Sequence, residues 1–215
     1  MKLISFKSFV LLFFTINAFI THAQKTIPYN LATLLKEDKL STHPYLQTQA
    51  LVGMQMGAIT TKGAVWLKDV SFKEGTIDVD LRGKNVFLQS FLGIAFHAAD
   101  TATYDVVYFR PFNFKHADTL RRQWSVQYMS LPDYDYSRLR KEHPLAYENA
   151  VTPMPEPDNW FHATIVVKNG WVTVYVNHSI TASLTVKLLN DRVDGGIGLW
   201  DDGLTGDFAN LSITQ

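Results

Sequence analysis

The chain contains no cysteine. That excludes a disulfide framework, a thiol nucleophile and a thiolate metal site. Net charge is also lacking: the formal charge is zero, and without Lys2 and Lys7 the balance is 18 basic against 20 acidic residues. A nucleic-acid partner calls for a basic surplus, and attraction to an anionic membrane surface calls for the same. No internal repeat or low-complexity tract is present, which excludes solenoids and propellers. No phosphate loop, Gly-x-Ser-x-Gly elbow or His-Glu-x-x-His run occurs, and His97, His116, His143, His162 and His178 show no metal-ligand spacing. Long hydrophobic runs are scarce too. One runs from Phe9 to Ile20 and is short for a membrane span. Lys2 and Lys7 precede it and Thr21-His22-Ala23 follows, the order of a basic region, an apolar region and a small-residue cleavage site. Residues 1–23 are therefore expected to be a secretory signal peptide. The expected mature protein is secreted or periplasmic, with no membrane attachment after cleavage and no cysteine for a lipid anchor.

What is present is a chain rich in rings. Aromatics make up 13% of it, and helix-forming Ala-Leu-Glu-Lys blocks are few, so the expected class is all-β. Residues 24–215 suit a single domain with a sizeable core. The most informative stretch predicts four consecutive strands, Gly75–Arg82, Val86–His97, Tyr104–Phe112 and Gln123–Ser130, with side chains alternating at a period of two. Leu92, Ile94 and Phe96 would share one face, with Gly93, Ala95 and His97 opposite. In the next strand Asp105, Val107 and Phe109 oppose Tyr104, Tyr108 and Arg110. In the fourth, Trp124, Val126 and Tyr128 oppose Ser125, Gln127 and Met129. Paired antiparallel, these strands would be apolar beneath and carry a platform of His97, Tyr108, Arg110 and Gln127 above.

Elsewhere, Leu31–Leu40 has helical spacing, Thr42-His43-Pro44 reads as a linker, and Gln47–Met54 and Gly63–Leu67 read as strands. Lys68–Ser71 and Lys73-Glu74-Gly75 read as turns. Leu131–Asn159 holds five prolines and one short helical stretch, Tyr136–Glu142. Its apolar Tyr134, Leu139 and Tyr147 favour an ordered cover over part of the sheet, since loops this long are either functional or disordered. Asn169-Gly170 between Trp160–Lys168 and Trp171–Asn177 is a strong hairpin signal. Strands at Ser183–Lys187, Gly195–Trp200 and Gly206–Thr214 bring the total to about a dozen, which points to a two-sheet antiparallel sandwich.

Four stretches carry a family likeness: Phe72–Asp80, Phe91–Phe96, Trp160–Val167, and Gly195–Trp200 with Gly206–Leu211. In them the chain resembles the concanavalin A-like lectin/glucanase superfamily, in its laminin-G-like and 3-keto-disaccharide-hydrolase-like branches. Tyr104–Asn113, Val126-Gln-Tyr128 and Tyr147-Glu-Asn149 look like a subgroup of secreted bacterial proteins. The resemblance implies a jelly-roll β-sandwich whose concave sheet usually meets carbohydrate. Retaining glucanases of the superfamily carry a Glu-x-Asp-x-x-Glu strand. The matching run here is Asp78-Val-Asp80-Leu-Arg-Gly83, which lacks the second glutamate.

A saccharide site needs flat rings for sugar C–H surfaces and planar polar groups for hydroxyls. Tyr108, Arg110, Asn113, Gln127, Tyr147 and Trp200 are the candidate ligand-binding residues. Arg110, set among aromatics, must reach water, a carboxylate or a ligand. Contact with the ligand and a salt bridge to Glu148 or Asp133 that pins the long loop remain open alternatives. Glu148 and His97 are the candidate catalytic pair if the domain hydrolyses a glycoside or a modified disaccharide. Asp201-Asp202-Gly203 and Asp207 form an oxygen-rich cluster that could hold a structural calcium; no other cofactor is expected. Carbohydrate binding, glycoside hydrolysis and a protein-interaction scaffold are the functions these residues allow, and the oligomeric state is not legible.

Overall fold

The computed structural model describes residues 24–42, 45–51 and 57–215. The expected signal peptide, the His43-Pro44 part of the linker and the end of the Gln47–Met54 strand lie outside the described residues.

Two antiparallel sheets pack face to face. One has the order β13-β12-β11-β6-β15-β4-β3, with β1 also on β15. Its members are β1 (Thr26–Tyr29), β3 (Thr48–Ala50), β4 (Ile59–Thr61), β6 (Gly75–Arg82), β11 (Phe161–Lys168), β12 (Trp171–Val176), β13 (Leu184–Lys187) and β15 (Gly206–Thr214). The other has the order β10-β9-β8-β7-β14-β5-β2. It consists of β2 (Leu40–Ser41), β5 (Val65–Phe72), β7 (Ser90–Ala98), β8 (Asp105–Phe109), β9 (Val126–Ser130), β10 (Glu148–Asn149) and β14 (Gly195–Gly203). We call these the back sheet and the front sheet. Three short helices accompany them: α1 (Leu31–Lys36), α2 (Thr119–Arg122) and α3 (Tyr136–Glu142).

Alternation builds the core. Along β6, Ile77, Val79 and Leu81 are buried while Thr76, Asp78 and Asp80 are partly exposed; β11 repeats this with Phe161, Ala163, Ile165 and Val167 inward. From the front sheet, Leu92, Ile94, Phe96, Val107, Phe109, Val126 and Tyr128 meet them in one cluster. Phe109 and Phe114 each approach Phe161 edge-on, with centroids 5.0 and 5.2 Å away, the arrangement ring quadrupoles prefer. Asp105 is the polar residue of this inner face. Its Oδ1 accepts from the Tyr128 hydroxyl (2.7 Å), Asn190 Nδ2 (2.6 Å) and Arg192 Nη2 (3.2 Å), while its Oδ2 faces His97 Nδ1 at 3.4 Å.

The four predicted strands are real, but their ends differ. The second starts at Ser90, the third stops at Phe109 before a 3₁₀ turn at Pro111–Asn113, and the fourth starts at Val126. The predicted turn Lys68–Ser71 instead lies within β5, where it forms an irregularity: five steps along β5, from Trp66 to Ser71, span two along β14. The predicted helix Leu31–Leu40 stops at Lys36.

The front sheet is also covered on its outer face. Leu139 of α3 is buried against Ala95, Tyr104, Val106, Tyr108 and Met129. The long segment is thus an ordered cover. Asp135 caps α3 by accepting from Arg138 N at 2.7 Å. Further along, Asn149 Nδ2 and Thr152 N bind Ser183 at 3.0 and 2.9 Å, fastening the segment to the end of the back sheet.

Candidate functional site

Register places four candidate residues and Gly93 in one line across the front sheet. Glu148 pairs with Gln127, Gln127 with Tyr108, Tyr108 with Gly93, and Gly93 with Trp200. Directly paired residues share a face, and four strand spacings make the row about 19 Å long at the backbone. Gly93 is required at its centre. A Cβ there would sit 2.0 Å from Val107 O and 2.6 Å from Tyr108 Cα, both backbone atoms that cannot give way. Across this gap the rings of Tyr108 and Trp200 meet at 5.1 Å, tilted 53°. Phe91, two residues before Gly93 on the same face, stands 6.3 Å from Tyr108.

Beneath the rings lies a closed polar network. The Tyr108 hydroxyl donates to Gln127 Oε1 at 2.8 Å. Arg110 Nη2 donates to both Tyr108 Oη and Gln127 Oε1, and its Nη1 donates to Trp124 O at 2.9 Å. Arg110 Nη1 also lies 3.8 Å from Glu148 Oε2. Arg140 completes the set: its Nε and Nη2 grip Glu148 Oε1 and Oε2 at 3.2 and 2.8 Å, while its guanidinium stacks 4.3 Å over Trp124. Tyr108, Arg110, Gln127 and Glu148 are each under 5% exposed. Burial pushes the Tyr108 phenol up to about 12 and pulls the Arg110 guanidinium below its usual range. Of the two alternatives for Arg110, the ion pair with Glu148 is present at 3.8 Å, and contact with a ligand stays open because Arg110 also lines the cleft above. Arg110 supports Tyr108 and Gln127 from below, and the long segment is pinned to Glu148 by Arg140.

Above the network is a cleft of about 520 Å³, lined by Tyr108, Phe91, Trp200, Met129, Arg110 and Arg140, with Leu88, Leu131, Asp135, Tyr136 and Asp202 around them. Its size falls within the range of small-molecule sites, roughly 300–1,000 Å³. Four rings, the partly exposed Arg140 guanidinium and two rim carboxylates suit an amphipathic ligand with C–H faces and hydroxyls.

Not every predicted residue reaches this cleft. His97 does not. Three steps along β7, from Ala95 to Ala98, oppose two along β14, and within this bulge His97 takes φ +50°. The extra residue turns its ring inward, stacked on Phe72 at 5.9 Å, with Nε2 2.7 Å from Lys73 O and Nδ1 3.4 Å from Asp105 Oδ2. Asn113 is buried in the 3₁₀ turn, where its Nδ2 donates to Trp124 O at 3.2 Å, the carbonyl Arg110 also uses. Tyr147 packs between Tyr128 (6.1 Å) and His143 (5.9 Å) under the long segment. Glu148 has both oxygens bound by Arg140 and is not among the cleft-lining residues.

The calcium expectation fails its chemistry. Asp207 pairs with Arg82 at 2.8 Å (Nε) and 2.7 Å (Nη2), so its charge is already met by a cation. Asp201 accepts from Gly63 N at 2.8 Å and from Gly206 N, and burial pushes it up to about 7. Neither carboxylate is a free hard-cation ligand. Among the described residues, no group of three or more His, Asp or Glu is placed to hold a metal.

Asp78 and Asp80 lie on the outer face of the back sheet, away from the cleft. They grip His162: Nδ1 is 2.8 Å from Asp80 Oδ1 and Nε2 is 3.2 Å from Asp78 Oδ1. These bonds push His162 up to about 9, so it is protonated at neutral pH and cannot serve as a base. A second cleft, about 400 Å³, opens near Lys73, Lys187 and Arg192 with His97 at its wall. No Phe, Tyr or Trp is among the described residues lining it, and the front cleft is the better candidate.

Sequence reasoning missed Arg140, Phe91, Asp135, Tyr136 and Asp202. Two of these were within reach: Tyr136 and Arg140, four apart on the predicted helix, necessarily share a face.

No protein-family model matches the chain, and no curated protein sequence matches it. Solved structures do. A protein of unknown function with a galectin-like fold from Bacillus subtilis superposes with a TM-score of 0.58, at 11% identity over 90% of this chain and 96% of that one. The carbohydrate-binding module CBM66 from the same organism gives 0.54, at 12% identity over 81% and 95%. A prokaryotic β-1,3-1,4-glucanase (lichenase) from a mouse hindgut metagenome gives 0.50, at 10% identity over 88% and 98%. These likenesses, with the two packed antiparallel sheets, show that the chain has the two-sheet jelly-roll β-sandwich fold of these proteins.

Proposed function

We propose that the protein is an exported, lectin-like domain that binds a saccharide in the front cleft. The observation that carries this reading is the Tyr108–Trp200 pair over Gly93, flanked by Phe91 and held rigid by the Arg110–Gln127–Glu148–Arg140 network. The partly exposed rings of Trp200 and Phe91, fixed against the buried Tyr108, offer the flat faces that sugar C–H surfaces need, with little entropy lost on binding. The fold is shared with a carbohydrate-binding module and a glucanase, which agrees with a saccharide partner. Export to a secreted or periplasmic location rests on the Lys2–Ala23 pattern.

Hydrolysis of a glycoside or 3-keto-disaccharide is less well supported. Glu148 is enclosed by arginine, and His97 sits at another end of the sandwich. A scaffold role would use the same surface without sugar.

The test is a glycan array read with the parent protein, Trp200→Ala and Trp171→Ala. Trp171 is a half-exposed ring on β12 of the back sheet, so it serves as the control. The parent and Trp171→Ala bind a common glycan class; Trp200→Ala loses at least about 2 kcal/mol, roughly thirtyfold. An array blank for the parent sinks the sugar reading and leaves the scaffold role.

A further inference from the structure

We propose that the cleft accepts the end of a saccharide chain rather than a stretch of its interior; this rests on the saccharide reading above. The line Glu148–Gln127–Tyr108–Gly93–Trp200 is the path a polymer would follow across the strands. A chain bound through its interior must leave that path at both ends, and here one end is walled. Over β9 and β10 stands α3. Leu139 is 1% exposed against the sheet, and Tyr136 and Arg140 turn one helical face into the cleft beside Asp135. Beneath this wall, Arg140 is clamped to Glu148 of the outermost strand and stacked on Trp124.

The wall is also fixed in place. Arg138 ties α3 to itself through Glu142 (2.8 Å) and back to Asp133 O (2.9 Å), and Asp135 caps its start. Swinging the helix aside would break the Arg140–Glu148 pair and leave the Glu148 carboxylate, 3% exposed, with Arg110 3.8 Å away as its remaining cation. The opposite end is different. Past Trp200 the row leaves the sheet, because β5 begins at Val65 opposite Leu199; the exposed Asp202 lines the cleft there, and Trp66, opposite Gly198, is partly exposed. A sugar chain can therefore enter over β14 and must stop at Arg140.

The experiment uses the intact protein and a panel of neutral polysaccharides: β-glucan, xylan, arabinan, mannan and fructan. Any polymer that binds is digested with its matching endo-hydrolase to raise chain ends at constant mass. Binding sites per gram are then measured by isothermal titration calorimetry. The proposal expects sites per gram to rise by the same factor as chain ends, at unchanged affinity per site. Sites per gram that stay level or fall overturn the chain-end proposal alone. Failure to bind any member of the panel overturns the saccharide reading and, with it, this inference.

Discussion

Glu148→Gln isolates one charge in the support beneath the cleft. The substitution keeps the side-chain volume and one of the two acceptors Arg140 uses, but removes the anion. In the parent, Glu148 is 3% exposed, bound through two contacts by Arg140 and 3.8 Å from Arg110, which is itself 4% exposed. Removing one partner of such a buried set costs about 3–5 kcal/mol, because the remaining cation stays desolvated without compensation. For a domain of this size that is a fall in Tm of about 6–20 °C. The control is Glu142→Gln. Glu142 pairs with Arg138 at 2.8 Å on the exposed face of α3, with 44% of its side chain exposed, so solvent screens the pair and its loss should cost far less than that of Glu148. Urea denaturation of the three proteins measures both differences. A Glu148→Gln cost no larger than that of Glu142→Gln would refute the claim that the cleft floor is held by a buried ion network.

Two further outcomes follow from the structure. Gly93→Ala puts a methyl into the Val107 and Tyr108 backbone and should cost about 3 kcal/mol, the upper range for overpacking, by the same urea assay; a loss below half a kcal/mol would show that the close strand approach is relieved cheaply. His162, raised to about 9, stabilises the fold fully below its unfolded value of about 6.5 and loses that contribution as pH climbs through 9. Stability should therefore decline between about pH 6.5 and 9, by at most about 3 kcal/mol, and His162→Gln should flatten that decline; an unchanged slope in the variant would contradict it.

Much of this architecture is legible in the residues. The alternation of Leu92, Ile94 and Phe96 against Gly93 and Ala95, and of Val107 and Phe109 against Tyr108, fixes which rings face outward, because period-two patterning is local chemistry. That alternation singles out Tyr108, Arg110 and Gln127, whereas Trp200 enters as a ring of the Gly195–Trp200 strand. His97 was misplaced by the same rule: one extra residue in β7 reverses its side, and no composition signal marks a bulge whose strained position is a histidine. Arg140 escaped for a different reason. Its contact with Glu148 spans eight residues and depends on how the long segment folds back over the sheet, a tertiary fact. Asp207 looked like a cation ligand because Arg82, 125 residues earlier, is not its neighbour in sequence.

The central claim is that ligand meets the rings over Gly93. The most direct measurement is an NMR titration following the indole signals of the five tryptophans with an oligosaccharide bound on the array. The Trp200 indole, hydrogen-bonded to Tyr104 at the cleft, should shift saturably, while those of Trp171 and Trp160 stay in place. A saturable shift at Trp171 or Trp160 with Trp200 unmoved would contradict the account.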